Sequence, residues 1–276
     1  MNSRFKLYLY NFFTTSDFMN IKTAIKTPFI QLRKMLLSNN FFGLMYYYQH
    51  IWQPKPNSLE TVLDDFSKRN KDIFFVQVGG NDGFQNDLIC KFVKRHRWSG
   101  ITIEPQLKPF ESLKQIYQKD PVTPVNAAID SENRTRKLYK VAFTDARWAS
   151  GLSSFLKSHL EEKIENGYIE KKAKKTGITL PKDKADWISF DEINCLTFET
   201  IFQKNNVQKI DILQIDTEGF DYEILRLFKF DIFLPKIIIF ESENLSATDL
   251  AESKTWLGAK GYVFEGFGGD TLGVLK

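Results

Sequence analysis

The stretch that most constrains this chain is residues 73–83, IFFVQVGGNDG, where five apolar residues and one glutamine run directly into a glycine-rich turn. A continuous apolar run of this length suits a strand buried on both faces, as in parallel sheets covered by helices on each side. Gly79-Gly80-Asn81-Asp82-Gly83 supplies residues that accept positive φ and let a backbone come close to a ligand.

The segments that follow repeat that frame. Leu88, Ile89, Phe92 and Val93 predict a helix over 87–96, and a short strand over 100–103 ends at Glu104-Pro105, where the proline stops pairing. A helix over 108–118 leads to a third strand over 122–129, ending at Asp130. Strand, helix, strand, helix, strand requires a parallel sheet. Residues 210–215 form a fourth strand ending at Asp216; a helix over 221–230 and the apolar 236–240 repeat the rhythm, with Glu241 and Glu243 ending the fifth. After a helix near 250–257, GYVFEGF and TLGVLK can pair antiparallel across Gly268-Gly269-Asp270. The expected class is α/β: a doubly wound, mostly parallel seven-stranded sheet with an antiparallel C-terminal strand.

Between the third and fourth strands, 134–144 alternates as an extra strand, and ISFDEINCLTF (188–198) is strand-like and leads into a helix over 198–204. Residues 145–187 are the least regular, with Trp148, Ser150, Gly151, Ser153 and Ser154 followed by HLEEKIENGYIEKKAKK, an exposed helix face or a lid-like insertion. Upstream, Pro54 and Pro56 separate an arm, residues 1–56, from a domain, 57–276, that opens on a helix with Ser58 as N-cap. In the arm Ile21, Ala24, Ile25, Phe29, Leu32 and Leu36 fall at roughly helical spacing, interrupted at Pro28.

Charge and cysteine usage narrow the function classes. The net charge is +4, but the arm carries seven Lys or Arg against Asp17 alone, a net of +6, so the body sums to −2. A weakly acidic body with a basic, aromatic-rich arm does not suit nucleic acid, which calls for basic residues on the folded face. The arm is expected to be a helical element packed on the body, or a contact for a membrane surface or a protein partner. Cys90 and Cys195 build no disulfide framework and lie in no zinc-like spacing, and no run reaches the ~18 apolar residues of a spanning helix. A cytoplasmic location is expected, with the inner membrane surface as a peripheral option.

In an open doubly wound sheet the ligand lies beyond the carboxyl ends of the strands. Those ends hold the 79–83 turn, Glu104, Asp130, Asp216 and Glu241. Asn81 occupies the position of the second glycine of a dinucleotide fingerprint, and no GxxxxGK[ST] is present, so a pyrophosphate cradle is unsupported. A carboxylate-rich edge suits a cationic ligand carrying a ribose. Glu104, about twenty residues past the turn, is placed to accept from both ribose hydroxyls, the alternative being a solvated acid after a strand.

At FVQVGGNDG (75–83), TIEP (102–105), VNAAI (125–129) and above all IDILQIDTEGFDYEIL (210–225), the chain resembles the class I S-adenosylmethionine-dependent methyltransferases, and more closely the FkbM-type family, over roughly residues 70–270. The resemblance implies a Rossmann-like methyltransferase fold and S-adenosylmethionine as cofactor. It implies that Gly79, Gly83 and the backbone between them, including Asn81 and Asp82, hold the methionine and ribose parts. Glu104 takes the ribose hydroxyls, the 126–130 segment (Asn126, Ala127, Asp130) flanks adenine, and Asp216 faces the methionine moiety and the acceptor hydroxyl. Gln77 stands where such enzymes usually carry an acid that helps bind the cofactor's amino group, which implies weaker cofactor binding or a loss of activity. The implied reaction is O-methylation of a sugar or polyhydroxylated small molecule, such as a glycan unit; the alternative is a non-catalytic protein of the same fold that binds a partner or membrane surface through its N-terminal arm. Asp216 is the first candidate for the base, with Glu218, Glu241 and His159 as alternatives. Glu218 also suits the plain role of a helix N-terminal residue beside Gly219, and His159 that of a surface residue. A divalent metal such as magnesium, held by Asp216, Glu218 and Glu241 or Glu243, is a lesser alternative.

Overall fold

The structure is a computed structural model and describes residues 23–276. The expectations for residues 1–22, and for the side chains of Ala24 and Ile25, lie outside the described residues.

In chain order the strands are β1 (Phe74–Val78), β2 (Ser99–Ile103), β3 (Val122–Val125), β4 (Ala128–Ile129), β5 (Arg134–Val141), β6 (Ile188–Leu196), β7 (Ile212–Ile215), β8 (Ile237–Glu241), β9 (Tyr262–Phe267) and β10 (Asp270–Leu275). The helices are α1 (Thr23–Ser38), α2 (Phe42–Tyr46), α3 (Leu59–Arg69), α4 (Leu88–His96), α5 (Leu107–Ile116), α6 (Arg147–Ser150), α7 (Lys157–Glu165), α8 (Tyr168–Thr176), α9 (Phe198–Lys204), α10 (Asp221–Leu227) and α11 (Ala247–Gly258). Seven strands form one sheet in the order β3-β2-β1-β7-β8-β10-β9, parallel except for β10, which runs antiparallel to both β8 and β9. This is the doubly wound α/β sheet that the strand–helix rhythm requires.

Both faces of the central strands are covered, and successive residues go to opposite sides. Phe75, Ile212, Ile239 and Leu272 enter a core with α3, α4 and α5, whereas Val76, Val78, Ile101, Leu213 and Phe240 enter a second core with α9, α10 and α11. That double burial explains why β1 reads as a continuous apolar run rather than an alternating one.

The first of these cores includes Leu37, Leu44, Tyr47, Tyr48 and Trp52, so the described part of the basic arm packs on the body. The buried Lys94 of α4 fastens it there: its ammonium donates to the carbonyls of Leu37 (3.0 Å) and Ile116 (3.1 Å) and to Asn40 Oδ1 (2.8 Å), and it pairs with Asp120. Ser58 caps α3 by position only, because its hydroxyl donates back to the Lys55 carbonyl.

One expectation changes. The strand expected over 122–129 is two strands: β3 stays in the main sheet, and β4, after the Asn126-Ala127 break, joins β6 and β5 in a separate three-stranded sheet. Residues 145–187, which include an exposed-helix or lid-like segment in the sequence reading, hold α6, α7 and α8 and carry a small core of their own, Ala149, Leu152, Leu160, Ile164, Ile169 and Trp187, packed with Val141 of β5. Among the described residues no helix is long and apolar enough to cross a membrane.

Candidate active site

The parallel register brings the strand ends level. Val78 pairs with both Ile103 and Ile215, Ile103 with Val125, and Ile215 with Phe240. The next residues, Gly79, Glu104, Asn126 and Asp216, therefore leave the sheet along one edge, where Glu241, the last residue of β8, still pairs with Asp270.

Gly79 is the pivot of that edge. Its φ is +87°, and a Cβ there would lie 1.8 Å from the Asp216 carbonyl oxygen. Only glycine lets the turn press against the end of β7 in this way. The N–H groups of Gly79 and Gly80 both donate to the Ile103 carbonyl (2.9 and 3.0 Å), closing the turn onto β2. Asn81, at φ +43°, then donates its N–H to Glu104 Oε2 (2.9 Å), and the Gln106 N–H donates to Oε1 (2.8 Å). Glu104 is 3 % exposed, and burial pushes its carboxyl up to about 7 despite both hydrogen bonds and the nearby Arg147. Each oxygen retains a lone pair for a further donor.

A pocket opens at this edge, with about 770 Å³ of atom-free space when its open mouth is included. Its polar lining comes from Gly79, Asn81, Glu104, Gln106, Asp216, Thr217 and Glu218, and its apolar lining from Ala127, Ala128, Ile129, Leu138, Phe155 and Phe220. Phe155 and Phe220 meet edge to face at 5.8 Å. The insertion contributes Arg147, Ser150, Gly151, Ser153 and Ser154.

The loop after β7 gathers carboxyls whose protons are held unusually tightly. Burial, then the charges of Glu241 and Asp270, push Asp216 up to about 7. It is exposed, and it lines the pocket. Burial, then Glu241 and Asp216, push Glu218 up to about 8. Asp221 is fully buried and is pushed to about 8 by burial and the same two neighbouring acids Asp216 and Glu241. It nevertheless organises the loop, accepting from Thr217 N–H (3.2 Å), Thr217 Oγ1 (2.9 Å) and Glu241 N–H (3.2 Å). Glu218 sits at φ +53° before Gly219 at +98°, a pair of left-handed residues that turns the Glu218 side chain to the pocket.

Of the residues singled out in the sequence, Gly79, Asn81, Glu104, Ala127, Asp216 and Glu218 line the pocket; Gln77, Asp82, Gly83, Asn126, Asp130, Glu241 and His159 do not. Gln77 is buried within the sheet, where its Oε1 accepts from Thr102 Oγ1 (2.7 Å) and its Nε2 donates to Asp87 Oδ2 (3.3 Å) and Gln214 Oε1 (3.2 Å). An acid at 77 would face the buried Asp87 carboxyl, so an amide is the better partner there. Asp82 holds the turn by accepting from the N–H groups of Phe84 and Gln85, and Gly83 at φ +76° abuts Leu113. Asn126 braces the carbonyls of Glu104 and Pro105. Burial alone would raise Asp130, but Arg134 (2.8 Å), Ser131 and Arg136 (3.2 Å) hold it below the usual carboxylate range, in the turn to β5. Glu241 is joined to Glu218 through Asn244 Nδ2, at 3.1 and 3.4 Å. His159 lies on α7 with its Nε2 buried and unpartnered.

Among the described residues no three of His, Cys, Asp or Glu are grouped to hold a metal ion, so the donor set of Asp216, Glu218 and Glu241 or Glu243 is not assembled. Arg147, Gln106 and Phe220 are pocket residues that the sequence reading missed. Their only signal is adjacency to motifs, since they follow Glu104, the IDTEG stretch, or precede the serine-rich segment. Two buried polar atoms of pocket residues, Arg147 Nε and Asn81 Oδ1, have no hydrogen-bond partner among the described residues.

Several solved structures are similar in outline. An FkbM methyltransferase from Methylobacillus flagellatus KT aligns at 11 % identity over 74 % of this chain and 43 % of that longer one, with a TM-score of 0.43. An O-methyltransferase from Bacillus cereus in complex with SAH aligns at 10 % identity over 87 % and 90 % of the two chains (TM-score 0.37), and an Aeropyrum pernix fibrillarin with natively bound S-adenosyl-L-methionine at 10 % over 74 % and 67 % (0.36). At these scores the likenesses carry no conclusion about activity. No curated protein matches. The model of the methyltransferase FkbM domain does match, over residues 77–264, which is well over half of the sequence and spans the glycine turn, Glu104 and the IDTEG loop. The chain belongs to the FkbM methyltransferase family.

Proposed function

We propose that this S-adenosylmethionine-dependent methyltransferase holds its cofactor between Glu104 and Asp216 and methylates a hydroxyl of a sugar or other polyhydroxylated small molecule. When bound, the cofactor supplies a methyl group on a sulfonium, and the chain's own residues provide position and proton transfer. Glu104 accepts hydrogen bonds from the ribose diol through the lone pairs left free by Asn81 and Gln106. Ala127, Ala128 and Ile129 offer the flat apolar surface that an adenine ring needs. The Gly79 contact fixes the Asp216 backbone against the turn, so the carboxylate is aimed by the fold rather than by a flexible loop.

Asp216 is the observation on which the reading rests. It is an accessible carboxyl on the pocket wall with affinity for protons near neutrality, which suits it to take the hydroxyl proton as the new O–C bond forms. The aromatic pair Phe155–Phe220 and the hydroxyls of Ser150 and Ser153 beside it suit a ligand with apolar ring faces and a polar rim, which is how sugars present themselves. Titration calorimetry with S-adenosylhomocysteine tests the cofactor placement: Glu104→Ala is expected to weaken binding about 10- to 100-fold through loss of charged hydrogen bonds. Equal affinity in parent and variant would remove the ribose role. Methyl-labelled cofactor incubated with mono- and oligosaccharides should yield methyl ethers, whereas label found only on nitrogen or carboxyl groups would overturn the acceptor class.

A further inference from the structure

Resting on that reading of the pocket, we propose that Arg147, delivered by the insertion between β5 and β6, forms the subsite for the α-carboxylate of the cofactor's amino-acid end. Charge matching carries the inference. Among the described residues four ionisable side chains line the pocket; Glu104, Asp216 and Glu218 are acids, and Arg147 is the single base. S-adenosylmethionine carries a sulfonium, an ammonium and one carboxylate. The two cations are suited to the acids, but the carboxylate meets one side chain of opposite charge.

Arg147 makes one hydrogen bond and one long ion pair among the described residues. One guanidinium nitrogen, Nη2, donates to the Gln85 carbonyl at 3.3 Å, and Nε forms an ion pair with Asp82 Oδ2 at 3.9 Å without a hydrogen bond. Nε is buried beside that carboxylate with no hydrogen-bond partner. Asn81 Oδ1, on the glycine turn, is likewise buried without a partner and lines the same pocket. A buried spare donor and a buried spare acceptor on one pocket match the carboxylate and ammonium of an α-amino acid. Gly151 keeps the space clear: a Cβ there would meet Glu218 Oε1 at 3.2 Å and Arg147 Nη1 at 3.6 Å.

The insertion thereby acquires a role in cofactor binding. Its small core holds the α6 segment, with Ala149 and Leu152 buried near Arg147, while Gln85 and Asp82 of the loop after β1 anchor the guanidinium.

The deciding experiment compares S-adenosylhomocysteine with its decarboxylated analogue by titration calorimetry, on the full chain and on Arg147→Gln and Arg147→Lys. The parent should bind S-adenosylhomocysteine more tightly than the analogue. Arg147→Gln should lose about 10- to 100-fold for S-adenosylhomocysteine and within about twofold for the analogue, and Arg147→Lys should recover part of the loss. Equal losses for both ligands, or no loss for either, would overturn the carboxylate subsite while leaving the cofactor pocket in place. Binding of neither ligand by the parent would overturn the pocket reading itself. Retained analogue binding reports that each variant is folded.

Discussion

Gly79→Ala will abolish detectable cofactor binding and cost about 2–5 kcal/mol of folding stability. Two terms add: an L-residue at positive φ costs about 1–2 kcal/mol, and forcing atoms into a packed site about 1–3 kcal/mol. The new Cβ has no room, since it would meet backbone, the Asp216 carbonyl at 1.8 Å, rather than the end of a side chain that can swing away. Either the turn lifts from β7 or Asp216 shifts, and both separate the residues that face the cofactor. Gly177→Ala is the matched control. It also has positive φ (+70°), but its Cβ would meet nothing within 4 Å, so only the backbone cost of about 1 kcal/mol applies. Urea unfolding of the two variants, with S-adenosylhomocysteine titrations alongside, separates the close approach from the dihedral.

Asp216→Asn will lower methyl transfer by about 10²- to 10⁴-fold, the range for removing a positioned base, with S-adenosylhomocysteine affinity changed only a few-fold. Glu218→Gln will have the smaller effect, since Glu218 is tied to Asn244 rather than fixed by the Gly79 contact. The reverse ranking would move the base to Glu218. In the parent, kcat/KM should rise with pH through about 7, because the base must be ionised and Asp216 ionises there in the free protein.

The raised acids also tie stability to pH. Asp216 and Glu104 ionise at about 7, and Glu218 and Asp221 at about 8, against ordinary values of 3.8 for Asp and 4.5 for Glu. The folded chain therefore binds more protons than the unfolded one between about pH 4 and pH 8. Their contribution to stability is fully present below about pH 4 and lost as pH rises through 7 and 8. The melting temperature should thus be lower at pH 8 than at pH 6, and a saturating cationic cofactor should narrow that gap by favouring the ionised acids.

The sheet was legible because burial on both faces leaves a clear mark in sequence. Continuous apolar runs at 73–78, 210–215 and 236–240, each ending in glycine or acid, located the central strands and the edge where the pocket opens. The 122–129 segment was misread as one strand because apolar content cannot show that Asn126 breaks the run by bonding back to Glu104 and Pro105, sending Ala128 and Ile129 to another sheet. At the site, Glu104 and Asp216 were readable because strand ends in register must be neighbours. Gln77 was harder: its position in the motif is next to the turn, but its amide is directed inward to Asp87, Thr102 and Gln214. Arg147 was invisible, since nothing local distinguishes it from other basic residues; its role arises from a long-range fold-back that sets the insertion against the turn.

A crystal structure with S-adenosylhomocysteine tests the central claim most directly. The account predicts the ribose diol on Glu104, adenine against Ala127–Ile129 and the sulfur facing Asp216. A ligand bound elsewhere on the chain, or one whose ribose avoids Glu104, would contradict it.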